Sequence, residues 1–208
     1  MESSKIAEYL LKIKAVKLSL DPPFMWSSGW QSPIYCDNRL LLSYPEIRTY
    51  VKSAFVDIIR RKYPETEGIA GVATGAIAHG ALVAEAMDLP LVYIRSKAKG
   101  HGLQNRIEGD VHQAGKYVVL EDLVSTGKSS VSAVRALQDA GVEVLGTVSI
   151  FSYGFGEADH NFAASGTTYQ SLVTLPELLI SAEESQYVDQ KGMEAIKNWQ
   201  KDPANWKP

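Results

Sequence analysis

The sequence predicts an α/β fold built on a parallel sheet with helices on both faces. Short apolar runs alternate with stretches whose apolar residues recur at helical spacing, through most of the chain. At two of these passages, after Val72 and after Leu120, strand and helix are joined by small and polar residues. In open α/β sheets, ligands bind at such loops, outside the carboxyl ends of strands.

The chain has 208 residues, enough for a single domain spanning 1–208 with a sizeable core. Hydrophobic residues make up 45% and charged residues 22%, the profile of a soluble globular protein. A net charge of −3 gives no electrostatic case for nucleic acid or an anionic membrane as partner. Cys36 is the one cysteine, so an intrachain disulfide is excluded and a reducing, cytoplasmic setting is expected. The first residues carry acids and lack a long apolar core, unlike a signal peptide, and no run is long enough to span a bilayer.

In chain order, Ile6, Leu10, Leu11 and Ile13 after Ser3-Ser4 predict a short amphipathic helix, and Ala15 to Leu20 a weak strand. Residues 20–46 are rich in turn formers and aromatics, which predicts short strands around a turn near Ser27 to Ser32. On general burial tendencies, Phe24, Trp26, Trp30 and Tyr35 are expected to pack rather than touch a ligand. Cys36 is expected to be a small buried residue with no reactive role. Ser43 to Glu46, with Pro45 between, resembles a capping box. The helix it starts has Ile47, Tyr50, Val51, Ala54, Phe55, Ile58 and Ile59 on one face and ends near Tyr63-Pro64.

Gly68 to Val72 reads as a strand, and Ile77 to Met87 as a helix. The small residues Thr74 to Ala76 between them let a ligand approach the backbone and suggest a second phosphate site. His79, one turn into that helix, is expected to pack or cap rather than catalyse. Leu89 to Ile94 is a third strand. The segment after it holds Arg95, Lys97, Lys99, His101 and Arg106 with four glycines and no apolar periodicity, which suits a lid over a polyanion. Beyond the central motif come a strand from Val142 to Phe151 after a helix stop at Gly141, a short helix around Glu157 to Ala164, and a strand from Thr168 to Val173. Pro176 to Ala182 and Val188 to Trp199 read as helices, and the tail from Gln200 shows no nameable chemistry.

The central motif runs from Tyr117 to Leu137. Tyr117 to Leu120 is an apolar strand, Glu121 and Asp122 follow it, and Val131, Val134 and Leu137 form a helical stripe. Between them, Thr126 to Ser129 would present backbone N–H groups and hydroxyls at a helix start, a site for one phosphate. Carboxylates repel phosphate, so Glu121 and Asp122 suit a different role, accepting hydrogen bonds from vicinal sugar hydroxyls or holding Mg²⁺. Phosphate plus diol is a ribose phosphate. A nucleoside-triphosphate loop would need a glycine five residues before Gly127-Lys128-Ser129, where Asp122 stands.

This run of apolar strand, two acids, Ser125, Gly127 and small or hydroxyl residues resembles the signature of the type I phosphoribosyltransferase family. Two further segments, FMWSSGWQSPIYCDNR and RSKAKGHG, resemble the substrate hood and the mobile loop of the branch that uses orotate. Purine-using members share the acidic motif but generally not both of these. The resemblance implies the family's parallel-sheet fold with a small N-terminal hood, mainly from 1–42, and convergence of three loops, 73–77, 95–110 and 121–129. It implies Mg²⁺-dependent transfer of a phosphoribosyl group from phosphoribosyl diphosphate (PRPP) to orotate in pyrimidine (UMP) synthesis, giving orotidine monophosphate and diphosphate. By the same resemblance, Arg95, Lys99 and His101 contact the diphosphate. Glu121, Asp122, Leu123, Val124, Ser125, Thr126, Gly127, Lys128 and Ser129 hold the ribose phosphate, and Ser125 also touches orotate. Lys99, His101 and Asp122 carry catalysis, and Mg²⁺ is bound mainly through PRPP. Members are homodimers, so residues 96–110 are expected to reach the neighbouring site. Orotate is already an anion in water, so no strong base is assigned.

Another form of the enzyme carries lysines where this chain has Ser27, Ser96 and Gly75, and an arginine where it has Tyr153. The orotate carboxylate is thereby left without the cationic partner of that form. The other readings are a phosphoribosyltransferase for a different base, or a non-catalytic PRPP or nucleotide sensor on the same fold. The cations of the lid favour an enzyme.

Overall fold

The computed structural model describes residues 2–26, 29–96, 106–111 and 115–207. Helix α1 (Glu2–Lys12) buries Ile6, Ala7, Leu10 and Leu11, one stripe at helical spacing. Four short strands follow: β1 (Val16–Leu18), β2 (Phe24–Met25), β3 (Gln31–Ser32) and β4 (Ile34–Cys36). β1 pairs antiparallel with β4, and β2 with β3. A 3₁₀ turn over Asn38–Ser43 leads into α2 (Pro45–Lys62). The capping box expected at Ser43 does not form. Ser43 ends the 3₁₀ turn, Tyr44 takes the N-cap position without a side-chain bond, and Pro45 opens the helix.

The rest of the chain alternates. β5 (Gly68–Val72), α3 (Ile77–Met87), β6 (Leu91–Ile94) and β7 (Ile107–Glu108) are followed by β8 (Lys116–Val124) and α4 (Lys128–Asp139). Then come β9 (Glu143–Ser152), α5 (Gly156–Ala164), β10 (Tyr169–Thr174), α6 (Leu175–Glu184) and α7 (Gln190–Lys201). They form one six-stranded sheet in the order β10-β9-β8-β5-β6-β7. Every neighbouring pair is parallel except β6 and β7. After β6 the chain crosses back past β5 to β8, so the strand order reverses between β5 and β8. That reversal opens a crevice at the carboxyl ends of these two strands.

Side chains of β8 alternate between two cores, as the pleat requires. Val118 and Leu120 join the larger core with residues of α1, α2, α3 and α6. Tyr117 and Val119 join a second core with Ala133, Val134 and Leu137 of α4. Helices therefore cover both faces. Two strands differ from the expectation. β8 does not stop at Leu120: Glu121, Leu123 and Val124 stay in register with Ser149, Phe151 and Ser152 of β9, so the acids belong to the strand. β7 lies within the lid segment. Its Ile107 and Glu108 pair with Ile94 and Tyr93, an antiparallel return that local periodicity does not signal over so short a length. Among the described residues, no helix is long and apolar enough to cross a membrane.

Candidate active site

The loops after β5 and β8 meet at the reversal point. Gly75, in the first loop, lies against Asp122, near the end of β8, so closely that a β-carbon on residue 75 would overlap the carboxylate. The absence of a side chain at Gly75 is what admits Asp122. The peptide between Ala73 and Thr74 is cis.

The second loop is built to present backbone donors. Gly127 takes the N-cap position of α4 with φ 75°, a conformation that disfavours any residue with a β-carbon. No side chain caps this end, so the first N–H groups of α4 remain available to an anion. Helix α5 braces the loop from below. Phe162 lies 3.0 Å from where a β-carbon on Gly127 would be, and Asn161 Nδ2 donates to the Thr126 carbonyl at 2.9 Å. Lys128 Nζ reaches Glu157 Oε1 at 2.7 Å. Val124 is buried with Val131, Ala158 and Phe162, and its carbonyl accepts from the Tyr153 N–H at 3.1 Å.

The two acids face different surroundings. Asp122 is half-buried beside Gly75. Glu121 is 4% exposed and accepts hydrogen bonds from Ser130 Oγ at 2.9 Å and Ser129 Oγ at 3.4 Å. Burial, with the Asp122 charge next to it, pushes the Glu121 carboxyl well above the usual range. Glu121 thus ties β8 to the first turn of α4, and Asp122 is the acid turned toward the first loop.

Asn38 carries no chemical motif in the sequence, yet it locks Asp122 from the other side. It is 1% exposed, and its Nδ2 donates to the Asp122 carbonyl at 2.6 Å. Its Oδ1 accepts from the Cys36 thiol at 3.3 Å. The polar run Cys36-Asp37-Asn38 after a short strand is the available signal. His79 is buried, as a packing residue would be, with a hydrogen bond to the Asn38 backbone; burial lowers its pKa against the pull of Asp122.

A cavity of about 690 Å³ opens on one side of this cluster. Met25, Trp26, Trp30, Tyr35 and Cys36 form one wall, and Leu123, Ser125, Thr126, Lys128 and Tyr153 the other. Trp26, Trp30 and Tyr35 of the aromatic segment therefore pack, as expected, and also face a cavity. Trp26 lies 5.0 Å, between ring centroids, from Tyr153, which stacks on Phe155 at 5.4 Å. Trp199 of α7 packs edge-on against Trp26, Tyr153 and Phe155. Gln200 Nε2 donates to the Tyr153 carbonyl at 2.6 Å, so the C-terminal segment has a structural role that its sequence does not show. Burial raises the thiol pKa of Cys36 well above its usual value, which fits an unreactive residue.

A smaller cavity, about 390 Å³, is lined by Ala73, Thr74, Ile77, Tyr93, Arg95, Ser96 and Glu108. Arg95 Nη1 lies 3.3 Å from Glu108 Oε1. The backbone of Arg95 is clamped too, its N–H donating to the Arg106 carbonyl and its carbonyl accepting from Arg106 Nε. Of the three loops expected to converge, 73–77 and 121–129 do, and Arg95 opens onto the smaller cavity. Lys97, Lys99 and His101 lie outside the described residues.

Residues 41–170 match the phosphoribosyl transferase domain family. Over 205 residues, 99% of this chain and 98% of its relative, the chain is 49% identical to an orotate phosphoribosyltransferase of Cytophaga hutchinsonii. It is 50% identical over 201 residues to that of Streptococcus pneumoniae serotype 4, covering 97% of this chain and 96% of the relative. Among solved structures, an orotate phosphoribosyltransferase from Aeropyrum pernix superposes with a TM-score of 0.76 at 28% identity, over 88% of this chain and 99% of that one. Leishmania donovani UMP synthase superposes with a TM-score of 0.82 at 28% identity, covering 95% of this chain but only 42% of that longer one. Likeness over nearly the whole length, together with a glycine loop, acid pair and aromatic cavity at one reversal point, places the chain in the phosphoribosyltransferase family, among its orotate phosphoribosyltransferases.

Proposed function

We propose that the protein transfers the phosphoribosyl group of PRPP to orotate, releasing diphosphate and forming orotidine monophosphate, a step of pyrimidine synthesis. The observation that carries this is the position of Asp122. It abuts Gly75, whose loop supplies Ala73 and Thr74 to the smaller cavity, while its neighbour Leu123 lines the larger, aromatic one. Full-length likeness to orotate phosphoribosyltransferases supports the reading.

The chemistry follows from charge. As the bond from C1 of the ribose to diphosphate breaks, positive charge grows on the sugar and negative charge on the leaving group. Asp122 accepts hydrogen bonds from the ribose hydroxyls and favours the cationic sugar. The N–H groups at the start of α4 hold the 5-phosphate and so fix the far end of the sugar. Trp26 and Trp30 present aromatic surface to the planar base, with the Ser125 hydroxyl alongside and Tyr153 behind Trp26. Arg95, and by resemblance Lys99 and His101, neutralise the departing diphosphate. Val124 and Glu121 serve from behind, as the buried frame of the loop.

Mg²⁺, when bound, adds positive charge at the diphosphate oxygens. Among the described residues, no group of three or more His, Cys, Asp or Glu is placed to cage a metal. Asp122 with substrate oxygens and water is a donor set that Mg²⁺ accepts. The residues thus fit an ion carried in by PRPP. The homodimer, with residues 96–110 reaching the neighbouring site under a hood from 1–42, and the cytoplasmic setting belong to the same proposal.

The test follows absorbance loss with PRPP and Mg²⁺ for orotate, uracil, adenine and hypoxanthine in parallel. Only orotate should be consumed. Preference for another base would reassign the substrate, and consumption of none would point to a sensor.

A further inference from the structure

We infer that the side chain of Lys128 meets the carboxylate of the base in the aromatic cavity, and so selects a carboxylated pyrimidine over a neutral one. This rests on the orotate reading above. The starting point is the cavity wall. Among the described residues that line it, Lys128 is the one with an ionised side chain; the others are aromatic, aliphatic, hydroxyl or thiol. A carboxylate taken into such surroundings without a partner is strongly disfavoured. Tyr153, on the same wall, carries no charge, and its ring is locked between Trp26 and Phe155.

Lys128 can supply the missing charge. Its partner in this structure is Glu157, with the two side chains 71% and 42% exposed. An exposed pair of this kind contributes little, so Lys128 can leave Glu157 for another anion at small cost. The backbone and the side chain of Lys128 can also serve different ligands. Its N–H belongs to the first turn of α4, which faces the phosphate, whereas the residue is also among those that line the cavity. The phosphate already has the helix N–H groups and the hydroxyl of Thr126. Among the described residues of this wall, the base carboxylate has no other cation.

Steady-state kinetics of Lys128→Gln, with each substrate varied, separates the two anions. The KM for orotate should rise about 10- to 100-fold, the loss expected for one charge-assisted hydrogen bond. The KM for PRPP should change little. The carboxamide analogue of orotate, used as a competitive inhibitor, should keep its Ki in the variant, and Lys128→Arg should restore most of the orotate affinity. An unchanged orotate KM in a variant that melts like wild type would overturn the assignment. A PRPP KM that rises as far as the orotate KM would hand Lys128 to the phosphate instead. Wild-type protein that consumes no orotate would defeat the orotate reading itself, which the variants cannot do.

Discussion

The space a β-carbon on Gly75 would take is filled by the carboxylate of Asp122. A loop and a strand end that are far apart in sequence are fitted to each other at this point, and the fit sets where Asp122 aims.

Gly75→Ala should therefore cost catalysis more than stability. The carboxylate can swing aside, so the melting temperature should fall by only about 2–4 °C, the shift of a 1 kcal/mol loss in a chain of this size. Turnover should fall by about 10²-fold, because an ångström of misplacement at a reacting group has that scale. Full turnover with an intact melt would remove the orientation of Asp122 from the mechanism.

Asn161→Ala tests the brace under the phosphate loop. The Thr126 carbonyl loses its donor, a change of about 1 kcal/mol. The KM for PRPP should rise about fivefold, with the orotate KM nearly unmoved. An equal rise in both would mean that α5 supports the whole cavity rather than the loop.

Glu121 makes stability depend on pH in a direction opposite to a salt-bridged acid. Burial, then the Asp122 charge, raise its native pKa well above the ordinary 4.5. Between the unfolded and native values the native state holds a proton that the unfolded chain has lost. Stability is therefore full below the unfolded pKa and declines as pH rises through the native one. Glu121→Gln keeps the shape and cannot titrate. Its melting temperature relative to wild type should climb as pH rises above the ordinary carboxyl pKa and level off once the native Glu121 has ionised. A flat difference across that range would show that the Glu121 carboxyl ionises as easily folded as unfolded.

Mixing two damaged chains tests the proposed dimer. Lys99→Ala should lower turnover by about 10²–10³, as removal of a charge-stabilising donor does, and Asp122→Asn should be comparably poor. If each lid serves its partner, a mixed dimer has one whole site. Random mixing then restores about a quarter of wild-type activity. No recovery, with subunit exchange confirmed by mass, would place the lid over its own subunit.

Local patterns made much of this legible. The stripe on α2, the small loop after Val72 and the run from Tyr117 to Leu137 each contain their own signal within a few turns of chain. What escaped the sequence depends on partners far along it. Glu121 to Val124 are strand because β9 lies alongside, and without that neighbour two acids read as a loop. Asn38 acquires its role from a carbonyl 84 residues away. Trp26 and Trp30 look like packing residues and are, yet the wall they build also faces a cavity. Ser43 fits the pattern of a helix cap, but the 3₁₀ turn that precedes the helix already claims that residue.

The helix that carries Trp199 and Gln200 has a consequence for how the protein is made. These residues hold the ring and the carbonyl of Tyr153, whereas the facing wall is contributed by residues 24–36. During synthesis the sheet and the phosphate loop leave the ribosome first. Until α7 follows, the ring and carbonyl of Tyr153 lack the partners that hold them in the cavity wall. The aromatic cavity is thus completed by the last helix to be made. A protease that trimmed α7 from a mature chain would take Met193, Ile196 and Trp199 out of the larger core together with the support of Tyr153.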